Sequence, residues 1–122
     1  MTVIVPLASG ETVSLELPPE TEALLAALIH RLDAYFDTTT GGDMPVAGLI
    51  QSRVRPEGVA AAAGYMAAAA RGETPKREPV SLRRLSASEW LVVDGNSTVT
   101  VARAAGWPTV WAVDLATGGA PG

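Results

Sequence analysis

The sequence contains no cysteine and a single histidine among its 122 residues. The first absence excludes a disulfide framework and any thiolate metal site. The second leaves too few nitrogen ligands for an ordinary zinc site and rules out a mechanism that needs two imidazoles. Charged residues make up only 18% of the chain and hydrophobic ones 48%, enough to fill a core, so wholesale disorder is not expected. Long apolar runs are missing too. The most apolar stretch, residues 59–70, is mostly alanine and falls short of the about 20 strongly apolar residues that a bilayer span requires. No basic segment followed by an apolar run opens the chain, so a signal peptide is not expected and a cytoplasmic protein is. The length suits one domain, or one domain with an added element.

What charge there is lies unevenly. Nine basic and thirteen acidic side chains give a formal net charge of −4. Residues 1–43 hold seven acids against Arg31 alone, a net −6, whereas residues 44–122 hold eight bases and six acids, a net +2. The sign changes at Thr38-Thr39-Thr40-Gly41-Gly42-Asp43, a polar stretch without apolar period that reads as a linker or exposed loop. A boundary is therefore expected there, between an acidic extension (1–43) and a mildly basic domain (44–122). Neither part is basic enough to suggest tight DNA binding by this chain alone.

Hydrophobic periodicity predicts an α+β fold. Residues 12–17 alternate as a half-buried strand and, with the apolar run 2–7, flank Ser9-Gly10-Glu11, which predicts a β-hairpin. After Pro18-Pro19, the stripe Leu24, Leu25, Leu28, Leu32 and Phe36 predicts one amphipathic helix over residues 20–36. Val46, Leu49 and Ile50 suit a short strand. A second helix should begin at Pro56, bury Val59, Ala62, Ala63, Met66 and Ala70, and end at Arg71-Gly72. Strands follow over residues 80–85 and 89–93, then a short helix closed by Gly106-Trp107-Pro108, then a last strand over residues 109–115. The result is a small mixed sheet with packed helices, preceded by a hairpin and a helix.

The turn Asp94-Gly95-Asn96-Ser97-Thr98 links a strand to a helix and carries the most chemistry. A glycine there lets backbone approach a ligand closely, and the first amides of the helix form a ready anion site. Asn96, Ser97 and Thr98 could donate to phosphate oxygens. Asn96 or Ser97 could equally be a plain helix cap, since turns of this composition are common. Arg53 and Arg55 flank Val54, so in an extended segment they point the same way, either toward this loop or into solvent as a pair of surface charges. Lys76-Arg77 reads as a solvated loop, and His30 as a surface residue outside the leucine stripe. Trp90, Trp107 and Trp111 read as core, with Trp111 able to stack on a base if exposed.

Residues 92–107, Val-Val-Asp-Gly-Asn-Ser-Thr-Val-Thr-Val-Ala-Arg-Ala-Ala-Gly-Trp, resemble the motif region of the ParB/sulfiredoxin-like superfamily. Pro45-Val46, Leu49-Ile50 and Arg53-Val54-Arg55-Pro56 resemble its opening strand and Pro-Arg stretch, and the similarity extends over residues 44–115. It implies a nucleotide or other phosphate ligand at Asp94, Gly95, Asn96, Ser97 and Thr98, with Arg53 and Arg55 neutralising it. It further implies weak phosphoryl-transfer or hydrolase chemistry, and magnesium accompanying a nucleotide. The chain departs from the pattern where members place arginine after the loop glycine, and a bidentate, charge-assisted clamp is lost with it. Sulfiredoxin chemistry needs a cysteine that this chain lacks. No separate helix-turn-helix for DNA is expected within this length. Asp94 alone is too little for a magnesium site, which draws on carboxylates and the substrate's phosphates together. No catalytic residue or protein metal ligand is assigned. The competing reading is a non-catalytic interaction module, such as a toxin–antitoxin or mobile-element accessory, that binds a protein partner through residues 1–43.

Overall fold

The computed structural model describes residues 1–122. The hairpin forms as the alternation predicts. Strands β1 (Thr2–Pro6) and β2 (Thr12–Glu16) pair antiparallel, with Val3, Val5 and Leu15 turned inward and Ile4 outward. Pro19 then opens helix α1 (Pro19–Ala26), with Glu20 and Glu22 in its first turn.

The single helix expected over residues 20–36 is broken. Helix α1 stops at Ala26, and a short helix α2 (Leu32–Tyr35) follows after a turn. No proline or glycine intervenes, so the cause is tertiary. The Trp107 indole Nε1 donates to the Leu28 carbonyl at 2.9 Å, and the Tyr35 hydroxyl donates to the Ile29 carbonyl at 2.9 Å. A continuous helix would need those same carbonyls for the amides four residues on. The Tyr35 ring stacks on Trp107, with centroids 5.1 Å apart. Leu25, Leu28, Tyr35 and Phe36 are all buried, so the apolar stripe is honoured by two segments instead of one.

Residues 38–43 are not a free linker. Trp111 Nε1 donates to the Thr40 carbonyl at 2.6 Å, and strand β3 (Gly42–Pro45) begins inside the stretch. Strands β4 (Leu49–Gln51), β5 (Val80–Arg84), β6 (Trp90–Asp94) and β7 (Thr109–Asp114) complete a five-stranded mixed sheet of order β3-β7-β5-β6-β4. The β4/β6 and β5/β7 pairs are parallel, the others antiparallel.

Two helices cross over between strands and pack on each other: α3 (Pro56–Ala70) and α4 (Asn96–Ala105). Pro56 takes the first position of α3, whose buried face of Val59, Ala62, Ala63, Met66 and Ala69 is small enough for close approach. Its last inward residue is Ala69, one position before the expected Ala70. Helix α4 ends on Gly106 at φ +74°, and the Trp107 amide reaches back to the Ala102 carbonyl at 2.9 Å.

One cluster of 25 buried apolar residues fills the interior. It draws Val3, Leu15 and Leu25 from before residue 44, and Met66, Leu82 and Val92 from after it. The charge changes sign at 43/44, while the core runs across it. The hairpin is also tied to the sheet edge by a parallel bridge between Leu7 and Gln51, with the Ala8 amide donating to the Gln51 carbonyl at 2.9 Å. No helix is long and apolar enough to cross a membrane.

If Trp107 holds the α1–α2 turn as described, Trp107→Phe strands the Leu28 carbonyl and leaves a void. Urea unfolding should then show a loss of about 2–4 kcal/mol. A loss below about 1 kcal/mol would contradict that role.

Candidate functional site

Strand β6 ends at Asp94, and the chain turns into α4 through Gly95 at φ +101° and ψ +21°. A Cβ on Gly95 would lie 3.2–3.4 Å from Val80 atoms, so both the backbone angle and the close neighbour call for glycine. Gly95 is itself the N-cap of α4, and neither Asn96 nor Ser97 caps the helix. Arg55, the N-cap of α3, likewise gives no side-chain cap. Two helices therefore begin without a capping side chain, each with the positive end of its dipole forward.

Both starts face one cavity of about 400 Å³. They come close: a Cβ on Gly58, in the first turn of α3, would lie 2.5 Å from Ser97 Oγ. Arg53, Arg55 and Arg77 line this cavity, as do the carboxylates of Glu57 and Asp94. No carboxylate lies within 4 Å of any of the three guanidinium groups, because the only ion pairs in the chain join Met1 to Glu16 and Glu22, and Arg71 to Glu73. Arg53 and Arg55 are exposed, whereas Arg77 is half-buried, its guanidinium 5.2 Å from the Tyr65 ring centroid. Burial lowers the Arg77 pKa, with Tyr65 and Asp94 acting in the opposite direction. An arginine remains a cation through this, so its charge is held in a partly desolvated place without a close counter-ion.

A buried polar clasp fixes the wall that carries Arg53. Gln51 is fully buried at the end of β4, and its Nε2 donates to the Asn96 carbonyl (3.1 Å), the Thr100 hydroxyl (2.9 Å) and the Arg53 carbonyl (3.3 Å). Its Oε1 accepts from Arg103 Nε at 2.9 Å, and Arg103 Nη2 donates to the Leu49 carbonyl at 2.7 Å. Asn96 adds a second link: its Oδ1 accepts from the Ser52 amide (3.1 Å) and its Nδ2 donates to the Ser52 hydroxyl (2.9 Å). No buried side-chain nitrogen or oxygen lacks a partner.

Six of the seven residues singled out in the sequence line this one cavity: Arg53, Arg55, Asp94, Gly95, Asn96 and Ser97. The seventh, Thr98, lines a neighbouring hollow of about 340 Å³ that shares Arg77, Asp94 and Gly95 with it. The Asn96 side chain is turned to Ser52, so it braces the wall instead of offering its amide to a ligand. Arg77, read from the sequence as part of a solvated loop, is brought in by long-range pairing. Residues 36 and 77 form a parallel bridge, and the Arg77 amide donates to the Tyr35 carbonyl at 2.8 Å. No local signal marks it. Gln51 and Arg103 also escape a reading by period or motif.

The remaining singled-out residues lie away from the cavity. His30 is exposed and hydrogen-bonds to the Thr109 hydroxyl at 2.9 Å. Trp90 and Trp107 are buried, while Trp111 is half-buried and bonded to Thr40. No three histidine, aspartate or glutamate side chains gather as a metal cage.

Replacing Gln51 with methionine keeps the shape but removes the acceptor for Arg103 and the donor to Thr100. Chemical unfolding should show a loss of about 2–3 kcal/mol. A neutral result would mean that the clasp does not hold β4 against α4.

No family model matches the chain, no curated protein matches it, and no solved structure matches it.

Proposed function

We propose that this chain is a small ParB/sulfiredoxin-like module that binds a nucleotide or another phosphate-bearing ligand in the cavity beside residues 94–98. One observation carries the reading: three arginines without close carboxylate partners face the first turns of two uncapped helices. Free helix amides and guanidinium groups both favour phosphate oxygens, the former through the dipole and the latter through paired, charge-assisted hydrogen bonds. The arginine missing after the loop glycine is replaced, in this reading, by Arg53 and Arg55 from one side and Arg77 from the other. A volume of about 400 Å³ is in the range of small-ligand sites.

Binding is the function proposed. A hydrolytic or phosphoryl-transfer step would have to take its base from Asp94 or Glu57, the two carboxylates of the wall. Magnesium would come on the ligand's phosphates, with those carboxylates as the protein's contribution.

The test is calorimetry and thermal shift with CTP, ATP, their diphosphates and pyrophosphate, with and without magnesium. A ligand present at about 100 times its dissociation constant should stabilise the fold by about 2.7 kcal/mol. Arg53→Ala, Arg55→Ala and Arg77→Ala should each weaken binding by about tenfold, the effect of losing about 1.4 kcal/mol of interaction. Arg83→Ala, on exposed β5 surface, should change nothing. Absence of a shift with every phosphate compound would overturn the proposal.

A further inference from the structure

The five-stranded sheet is covered on one face only. Helix α4 packs against the side that carries Leu82, Trp90, Val92, Val110 and Ala112, all of them buried. Side chains alternate along a strand, so the other side presents Leu91, Val93, Trp111 and Val113, with Leu115 just past the end of β7. Leu91, Trp111 and Val113 are half-buried, Val93 is 44% exposed and Leu115 is 52% exposed. A sheet with parallel pairs is normally covered on both faces, and the open face of an antiparallel sheet normally turns polar. This face does neither, and a contiguous exposed apolar surface marks an interaction site.

Its charges say what fits on it. The strands present one cation there, Arg83, and one anion, Asp43; both are exposed, and neither belongs to an ion pair. Asp43 Oδ1 accepts a long bond of 3.4 Å from the Thr109 hydroxyl, which also meets His30 at the margin of the sheet. Glu89 lies outside the strands, in the β5–β6 turn. The two charges are placed symmetrically about Val113. Asp43 is on β3, level with Trp111, two residues before Val113 on β7. Arg83 is on β5, two residues beyond Ser81, which is level with Val113 from the other side. Each charge is therefore about 5 Å across and about 7 Å along the sheet from Val113, in opposite directions. A two-fold axis in the plane of the face, through Val113 and perpendicular to the line joining the charges, brings Asp43 of each copy onto Arg83 of the other. The two sheets then cross steeply, close to the orthogonal mode of sheet packing.

We propose that this face is the interface of a homodimer, in which a second copy covers Val93, Trp111 and Val113 and two Asp43–Arg83 pairs fix the register. The interface is isologous, so each contact forms twice. The apolar residues supply the affinity, and the paired charges exclude other poses. A face about 20 Å across is small for a stable complex, so the dimer is reversible, with a Kd in the micromolar range. The arginine cavity belongs to the helix layer on the other side of the sheet, so the dimer leaves it open.

The test is sedimentation equilibrium of the whole chain from about 1 to about 500 μM. The mass should rise with concentration from 12.6 kDa toward twice that value. Asp43→Arg and Arg83→Asp, both at exposed positions, should each raise the dimer Kd about tenfold or more, because attraction turns to repulsion at two places. Val113→Glu should raise it by at least as much. Ile29→Ser, outside the face, should leave it unchanged. An equimolar mixture of the Asp43→Arg and Arg83→Asp chains should recover association close to that of the unsubstituted protein, since their charges are complementary at both places. That recovery separates a lost pair from a misfolded variant. A monomer at every concentration, a dimer indifferent to both charge reversals, or a mixture that fails to recover would overturn the proposal.

Discussion

Gln51 is the residue on which the rest of the arrangement depends. Strand β4 is only three residues long, yet its final side chain is fully buried and reaches α4 at Asn96, Thr100 and Arg103. The backbone carbonyl of the same residue accepts from Ala8, so hairpin, sheet and helix meet at one position. A buried polar network is costly when partly satisfied and specific when complete. Here it is complete. Two residues further on stands Arg53, whose place beside α4 follows from that clasp and from the Asn96–Ser52 pair.

Helix α4 then organises the surface by its direction. Its start, opened by the left-handed turn at Gly95, faces three arginines; its end is closed by Gly106 and Trp107. The dipole of the helix presents its positive end to the arginine cavity, the sign that favours an anion. The uneven charge of the sequence acquires a spatial meaning in this way. Glu16 and Glu22 gather around the Met1 ammonium, and Arg53, Arg55 and Arg77 around the cavity, while a single apolar core joins the two regions.

Features set by neighbouring residues were legible in the sequence. The hairpin alternation, Pro56 at the start of α3, and the Gly106-Trp107 closure each express a local backbone rule, and each formed as read. Features set across the chain were not. The break after Ala26 depends on an indole 79 residues away taking a carbonyl that the helix would have used. The Asn96 side chain looked free to serve a ligand because its partner, Ser52, lies 44 positions earlier. Arg77 resembled any solvated cation until its pairing with residue 36 carried it to the cavity wall. The glycine turn and the first two arginines were thus visible as candidates, whereas the third arginine and the clasp behind them required the fold.

The most direct measurement of the central claim is a pyrophosphate titration of the isotope-labelled protein followed by NMR, reading backbone amides and arginine Nε–H groups together. The account predicts that shifts concentrate at the first turns of both helices, on Glu57, Gly58, Ser97 and Thr98, and at the guanidinium groups of Arg53, Arg55 and Arg77. Shifts that concentrate instead at Arg83 and Arg84, or a spectrum that pyrophosphate leaves unchanged, would contradict it.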